Sequence, residues 1–259
     1  MRNNKLNWLD NENLLTEKSR LFKKVFQDNS DNNYIKNEDN PNLKGLSIKA
    51  DKKNYFETLR DSLLQTKNSF SKSPALIGII SCYRGEGVST IASNLATAFA
   101  QNSDINVLLV DTNYVNPSVH KNFGINLSPG LGEILFDGQD IKAAIHATML
   151  KNFFILTAGE FYKNSGINFE SKEFSDLLVS LRNNYSYVIF DSPAIDAASS
   201  TARFASLLDG VVLVTEAERV RWEVAQRVKD QFIKANANIL GVVLNKQQFH
   251  IPKWLYKTL

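Results

Sequence analysis

Residues 75–90 read ALIGIISCYRGEGVST, an apolar run followed by a glycine-bearing loop and the start of an amphipathic stretch. The run at 75–81 is too short for a typical helix and is apolar on both faces, as the strands of a covered parallel sheet are. The stretch after the loop places Ile91, Leu95 and Phe99 on one helical face. This order is the context of a phosphate-binding loop, because glycines let the backbone fold around oxygen atoms while the helix start supplies amide donors.

The loop departs from the usual phosphate-binding signature at one position. That signature ends in Gly-Lys-Ser/Thr, where the lysine reaches the β- and γ-phosphates and the hydroxyl holds Mg²⁺. Here Val88 replaces the lysine, whereas Ser89 keeps the hydroxyl. A charge-assisted hydrogen bond contributes ~1.5–3 kcal/mol, so the loop is predicted to bind a nucleotide weakly and to transfer phosphate still less well. Two alternatives stay open: Arg84 substitutes for the lysine, or the loop is a tight turn shaped only for packing. The predicted nucleotide-binding residues of the loop are Arg84, Gly85, Glu86, Gly87, Val88, Ser89 and Thr90.

Outside the loop, short apolar runs alternate with amphipathic stretches. The runs are ALIGIIS (75–81), NVLLVD (106–111), NFFILTA (152–158), YVIFDS (187–192), GVVLVTE (210–216) and ILGVVLN (239–245). The amphipathic stretches between them are 89–101, 171–184, 198–208 and 218–236. This alternation predicts an α/β fold with a doubly wound, mostly parallel sheet and right-handed crossovers. Because ligands bind such sheets beyond the carboxyl ends of the strands, the chemistry is expected at four of those ends, which carry Ser81, Asp111, Asp191 with Ser192, and Asn245.

The two ends of the chain differ in composition from its middle. Residues 1–45 are crowded with Asn, Asp and Lys and are predicted to be a disordered polar extension, interrupted at most by a short amphipathic helix. The apolar residues of that helix are Leu14, Leu15, Leu21, Phe22, Val25 and Phe26. Residues 46–246 form the predicted domain. Residues 247–259 are a basic and aromatic tail, which suits a membrane surface or a partner groove or else folds back on the domain.

Composition excludes several classes of protein. The 259 residues are 43% hydrophobic, enough for a real core, and carry a net charge of only +3, too slight to indicate a nucleic-acid partner. A lone cysteine, Cys82, excludes an internal disulfide framework and a cysteine-based metal cluster. The start of the chain lacks the apolar core of a secretory signal, and no apolar run approaches the ~18–20 residues that span a bilayer. A soluble, cytoplasmic protein is therefore expected.

Several motifs together resemble a known family. In chain order they are RGEGVSTIASNLATAFA, NVLLVDTNYVNPSVHKNFGI, SPGLGEIL, FFILTAG, SYVIFDSPAI, LLDGVVLVTEAERVR and GVVLNK. On these motifs, residues 50–250 resemble the bacterial tyrosine kinases of capsule and exopolysaccharide assembly. The closest likeness is to the stand-alone cytoplasmic type with a P-loop NTPase-like fold, which works with a membrane polysaccharide co-polymerase.

The resemblance implies a cofactor, site residues and partners. It implies ATP or ADP with Mg²⁺, catalytic roles for Asp111 and Asp191, a magnesium site formed by Ser89, Asp111 and Asp191, and a purine-base contact by Asn245. Solvation of two strand ends is the alternative for the aspartates. The implied partner is the cytoplasmic segment of the co-polymerase, which would hold the protein peripherally at the inner face of the plasma membrane, with a homo-oligomer as a further implication.

Departures from the family pattern all remove charge or phosphorylation sites. Beside Val88, the second motif has Asn113 where the family has an aspartate and Val115 where it has an arginine. A neutral amide cannot take a proton from an acceptor tyrosine. The early helix expected at 54–66 keeps only Arg60 of the motif that joins family members into a ring, and the C-terminal tyrosine cluster is reduced to Tyr256.

Three functions follow from these features. The favoured one is a catalytically weak or inactive regulatory partner of a membrane polysaccharide co-polymerase. The second is an active tyrosine autokinase with a rearranged site in which Arg84 replaces the lysine. The third is a positioning ATPase of the partition or septum-site type, against which Tyr83 counts because such ATPases place an additional lysine there.

Overall fold

The structure, a computed structural model, describes residues 23–27, 50–66, 75–101, 104–161, 166–195 and 200–247. Eight strands in this part of the chain form one sheet: β1 (Lys23–Gln27), β2 (Ala75–Ser81), β3 (Val107–Asp111), β4 (Ile145–Ala147), β5 (Phe153–Leu156), β6 (Tyr187–Asp191), β7 (Gly210–Glu216) and β8 (Ile239–Gln247). Their order is β1-β8-β7-β2-β6-β3-β5-β4. The pairings are parallel except between β4 and β5.

Helices of the described residues cover both faces of the sheet. They are α1 (Ala50–Thr66), α2 (Val88–Ala100), α3 (Val119–Phe123), α4 (Leu131–Asp137), α5 (Ile141–Ala144), α6 (Lys172–Asn184), α7 (Thr201–Ser206) and α8 (Trp222–Lys234). None of these helices is long and apolar enough to cross a membrane.

Two apolar clusters, one on each side of the sheet, explain why the central strands are apolar throughout. Successive side chains of a strand point to opposite faces. Ile77 of β2 joins the cluster built on α1 and α2, whereas Leu76 joins the cluster built on α6, α7 and α8. Every residue of β2 and β3 is consequently buried. The predicted doubly wound, mostly parallel α/β fold is confirmed.

Each of the six predicted strands is present, but the sequence pattern missed the shortest elements. β2, β3, β5, β6, β7 and β8 all fall on the apolar runs. The elements β4, α3, α4 and α5, of three to seven residues, were not predicted because they are too short to show periodicity.

The predicted helix that includes Val25 and Phe26 is wrong. These residues belong to β1, which pairs in parallel with β8 from Lys23 opposite Val242. Helical spacing over so few residues is a weak signal, and pairing with a sheet edge overrides it. The rest of the predicted extension, and the tail from residue 248, lie outside the described residues.

Strand order brings the predicted site residues to one edge of the sheet. β6 lies between β2 and β3, and Asp191 is in register with both Ile79 and Asp111. The loop that follows β2 therefore begins beside both aspartates. This edge is where a doubly wound sheet binds ligands.

Candidate functional site

A cleft with a volume of about 220 Å³ opens at this edge of the sheet. Its lining residues are Ser81, Arg84, Gly85, Gly87, Val88, Ser89, Thr90, Asn113, Asn116, Ser118, Ser192 and Ala194. Six of the seven loop residues predicted to bind a nucleotide are among them; Glu86 is not. Ser81 and Ser192, expected near the chemistry from their places at strand ends, also line the cleft. Asn116, Ser118 and Ala194 were not predicted, although they lie on segments that follow strand ends.

Two glycines give the loop its shape. Gly85 and Gly87 have φ of 85° and 95°, in the left-handed region that side chains disfavour. Gly87 also caps the N-terminus of α2 without any side-chain hydrogen bond, and the first turn of the helix has no acidic residue. The first N–H groups of α2 are thus left for a ligand, in the positive field of the helix N-terminus. This arrangement suits the oxygen atoms of a phosphate.

Glu86 holds the loop from within. Its Oε2 accepts hydrogen bonds from the backbone N–H of Cys82 at 2.9 Å and of Tyr83 at 3.1 Å, and its Oε1 accepts one from Glu216 at 3.4 Å. Burial raises the pKa of the carboxyl to about 7, although these hydrogen bonds oppose the shift. The structure therefore places the Glu86 side chain in the scaffold of the loop, away from the cleft to which its sequence position assigned it.

Replacing Glu86 with alanine is expected to lower the free energy of unfolding by about 1–3 kcal/mol, because buried backbone N–H groups lose their acceptor. Urea unfolding at pH 7 measures this. Glu223→Ala is the matched control, since Glu223 is exposed on α8. Equal stabilities of the two variants would show that the loop does not depend on the carboxylate.

Asn245, the predicted base contact, touches the loop from its outer side. Its Nδ2 donates a hydrogen bond of 2.7 Å to the carbonyl oxygen of Glu86. A Cβ built on Gly87 would collide with this amide. Asn245 is not among the residues that line the cleft, so in the structure its donor serves the loop.

Asp111 lies in register beside Asp191 and organises one wall of the cleft. Its Oδ1 accepts a hydrogen bond from the N–H of Asn113 at 3.0 Å, and its Oδ2 accepts from Ser118 and Val119, both at 3.1 Å. Burial raises the pKa of this carboxyl to about 6 against the pull of these three donors. The carboxylate thereby holds the segment from Asn113 to Val119, which includes three residues of the lining.

Asp191 is the least satisfied polar group of the site. It is fully buried, and neither carboxyl oxygen has a hydrogen-bond partner among the residues that the structure describes. Burial raises its pKa well above the usual value and the charge of Asp111 adds to the shift. The Ser89 hydroxyl opposes it, although that hydroxyl completes no hydrogen bond with either oxygen. Buried carboxyl oxygens are almost always partnered, so these two are suited to a bound cation or its water.

The donor set fits Mg²⁺. In the described part of the chain, no group of three or more His, Cys, Asp or Glu side chains is placed to hold a metal by itself. Mg²⁺ is usually bound by one or two carboxylates together with substrate phosphates and water. Asp191, with the Ser89 hydroxyl beside it, supplies the protein part of such a shell, and the loop amides supply the place for the phosphates.

Two of the positions that depart from the family pattern, Val88 and Asn113, lie at the site. Asn113 lines the cleft, and its Oδ1 accepts a hydrogen bond of 3.2 Å from the N–H of Asn116. Val115 is 37% exposed and brings no charge. Arg84 is exposed and is the one Lys or Arg among the residues that line the cleft.

Arg60, the arginine kept from the ring motif, makes contacts within its own chain. Its Nη1 donates a hydrogen bond of 2.9 Å to the carbonyl oxygen of Ala98, and Nη2 lies 2.8 Å from Asp61. The guanidinium therefore ties α1 to the C-terminal end of α2. A role at a subunit interface remains a prediction.

Comparisons with known proteins identify the family and the fold. The family model described as ParA, NUBPL iron-transfer P-loop NTPase, matches residues 71–258. The tyrosine-protein kinase YwqD of Bacillus subtilis strain 168 is 32% identical over 167 residues, which are 64% of this chain and 70% of that protein. The crystal structure of the chimerical protein CapA2B2 superposes with a TM-score of 0.72 at 26% identity and covers 87% of this chain and 94% of the other.

A more distant neighbour holds a nucleotide. The septum site-determining protein MinD of Pyrococcus horikoshii OT3, in complex with Mg-ADP, superposes with a TM-score of 0.55 at 24% identity, over 71% of this chain and 76% of that chain. At this identity the likeness concerns the fold alone.

Proposed function

The chain belongs to the ParA family of P-loop NTPases and, within it, to the bacterial tyrosine-protein kinases, and from that premise we propose that it is a regulatory P-loop protein of capsule or exopolysaccharide assembly. It binds ATP or ADP with Mg²⁺ and transfers phosphate weakly or not at all. The proposal rests on one observation. The chain keeps a site for a phosphate and a cation, but it lacks the charged side chains that phosphate transfer requires. Asp191 keeps two unpartnered buried oxygens beneath the loop, whereas Val88 and Asn113 are neutral.

Nucleotide binding in this proposal depends on groups that the chain retains. The N–H groups of Gly87, Val88 and Ser89 would donate to phosphate oxygens at the start of α2. The Ser89 hydroxyl and the Asp191 carboxylate would hold the magnesium shell, and the metal would supply positive charge against the phosphates. Asp111 keeps the facing wall in place through its three backbone donors. These contacts support a nucleotide-bound state without chemistry.

Transfer depends on groups that the chain lacks. As the terminal phosphoryl leaves, negative charge shifts toward the leaving group, and a preorganised cation there stabilises the transition state. Val88 supplies none. An acceptor hydroxyl also needs a residue that takes its proton or orients it, and the neutral amide of Asn113 cannot accept a proton.

The partner in this proposal is the cytoplasmic segment of a membrane polysaccharide co-polymerase. It would place the protein at the inner face of the plasma membrane, and a nucleotide-dependent change in the cleft would alter that contact. The regulatory role therefore requires nucleotide binding, and it requires no turnover.

A second candidate, the active autokinase, is favoured by one observation: Arg84 is exposed on the lining of the cleft. Its guanidinium would have to reach the terminal phosphate from a position four residues before Val88 on the loop. The positioning ATPase shares the fold of the MinD neighbour, but the structure adds no residue in its favour. At the position where such ATPases place an additional lysine, Tyr83 lies near Arg219, whose Cζ is 5.9 Å from the centroid of the tyrosine ring.

The proposal predicts nucleotide binding without transfer. Purified full-length protein is mixed with labelled ATP and Mg²⁺, alone and with the cytoplasmic segment of its partner, and both bound nucleotide and phosphotyrosine are measured. We expect Mg²⁺-dependent binding at millimolar nucleotide and no label on the chain. Gly87→Ala is the control for the loop, because its Cβ would collide with Asn245. Phosphotyrosine on the wild-type chain would favour the autokinase, and absence of binding would refute the proposal.

A further inference from the structure

Lys246, just beyond the predicted base-contacting asparagine, adopts an unusual backbone conformation. It lies in β8 with φ of 55°, in the left-handed region. A residue with a side chain adopts this region at a cost, and such strain persists where the surrounding structure enforces it. The conformation coincides with a contact between the side chain and the phosphate-binding loop.

That contact fixes one peptide of the loop, and Asn245 fixes the next. The Nζ of Lys246 donates a hydrogen bond of 2.8 Å to the carbonyl oxygen of Gly85, while Asn245 Nδ2 holds the carbonyl of Glu86 at 2.7 Å. In a trans peptide the N–H points opposite to the C=O. Neither side chain belongs to the lining of the cleft, and the N–H groups of Glu86 and Gly87 point away from Lys246 and Asn245.

Charged side chains surround the contacts of Lys246 and Asn245 with the loop. Lys246 Nζ lies 3.4 Å from Glu216 Oε2, which also pairs with Arg219 at 2.9 Å. The backbone N–H of Glu216 in turn donates to the buried carboxylate of Glu86. The side chain of Lys246 is 34% exposed, so these partners hold it while part of it remains solvated.

We infer that Lys246 is a positioning residue for a nucleoside di- or triphosphate, and that it offsets the absence of a lysine at Val88. It acts from behind the loop: it holds the Gly85 carbonyl away from the cleft and places a positive charge one peptide from the phosphates. The inference rests on the proposed function, since it concerns the same cleft. It assigns the compensating role to Lys246 in place of Arg84.

Three variants test this role by Mg-ADP titration of the full-length protein. Lys246→Met is expected to weaken the affinity about tenfold, the effect of one lost charge-assisted contact. Lys246→Arg is expected to restore it to within about threefold, because the guanidinium can donate to the same carbonyl. Lys234→Met is the control, since it removes the same charge from the last turn of α8. Inorganic phosphate, titrated separately, reports on the loop without the base and is expected to follow the same order.

Hydrogen exchange of the nucleotide-free protein gives a readout independent of binding. Loop amides at residues 85–88 are expected to exchange faster in Lys246→Met than in the wild type or the arginine variant, with unchanged exchange in β2 and β3. Wild-type ADP affinity in Lys246→Met, or loop exchange equal to that of Lys234→Met, would overturn the inference and leave the proposed function intact. Absence of ADP binding in the wild type, together with faster loop exchange in Lys246→Met, would refute the proposed function and confirm only the positioning of the loop.

Discussion

Replacing Val88 with lysine is expected to tighten the binding of Mg-ATP by about ten- to a hundredfold, the equivalent of the ~1.5–3 kcal/mol of a charge-assisted hydrogen bond. Val88 is the first residue of α2 and lines the cleft, with 8% of its surface exposed. A longer side chain at this position extends into the cleft of about 220 Å³, where its ammonium meets the phosphates. Lysine also suits the helix better than the β-branched valine. Isothermal titration calorimetry measures the change.

Val88→Met separates the charge from the shape. Methionine extends the side chain by a similar length, removes the branch at Cβ and adds no charge, so its affinity is expected to stay within about threefold of the wild type. If lysine and methionine at this position bind Mg-ATP equally, the phosphates do not lie at the start of α2.

Phosphate transfer is expected only when Asn113→Asp is added to Val88→Lys. An aspartate at this position keeps the oxygen that accepts the N–H of Asn116 at 3.2 Å, so the wall of the cleft retains its shape. It adds the proton acceptor that an incoming tyrosine hydroxyl requires. Phosphotyrosine in the double variant and none in either single variant is the expected result, with immunoblotting and mass spectrometry as the measurements. Transfer by Val88→Lys alone would show that Asn113 is no barrier.

The fold could be predicted from the sequence because its signals are local. A strand buried on both faces must be apolar along its whole length, and the six such runs are unmistakable for that reason. Gly85 and Gly87 likewise predict the positive φ values that the loop adopts. The short elements α3, α4 and β4 leave no comparable mark, since they owe their form to neighbours distant in sequence.

The site was predicted only in part, because its most specific contacts join distant residues. Asn245 and Lys246 reach the loop across 159 and 161 positions of the chain. No local pattern says that an asparagine and a lysine at the end of β8 will hold loop carbonyls. Glu86 is a similar case. Its place inside a glycine loop suggested a ligand contact, whereas its buried carboxylate accepts three backbone hydrogen bonds and stabilises the loop. By contrast, the sequence alone identifies the neutral residues Val88 and Asn113 as departures from the family pattern.

Asp191 determines how stability responds to pH and to the metal. Its carboxyl is fully buried without a partner among the described residues, so ionising it costs free energy in the folded state only. Since its folded pKa is raised above the unfolded value, the folded state holds the proton more tightly. The contribution to stability is therefore full below the unfolded pKa of about 4 and is lost as pH rises through the folded pKa. Asp111 and Glu86, with pKa values raised to about 6 and about 7, act in the same direction.

Asp191→Asn is consequently expected to raise the free energy of unfolding of the metal-free protein at pH 8 by about 1–3 kcal/mol, because an amide cannot ionise and has no charge to bury. At pH 5 the two proteins should differ far less, because a lower pH favours the protonated, uncharged carboxyl. With Mg-ADP the order of stabilities is expected to reverse, because a ligand stabilises the folded state in proportion to its binding. Mg-ADP should raise the free energy of unfolding strongly in the wild type and weakly in the variant. Urea unfolding at both pH values, with and without Mg-ADP, measures all four cases, and Asp176→Asn on the exposed face of α6 is the control. A variant less stable than the wild type at pH 8 without metal would mean that Asp191 already has a partner, and the magnesium site would lose its physical basis.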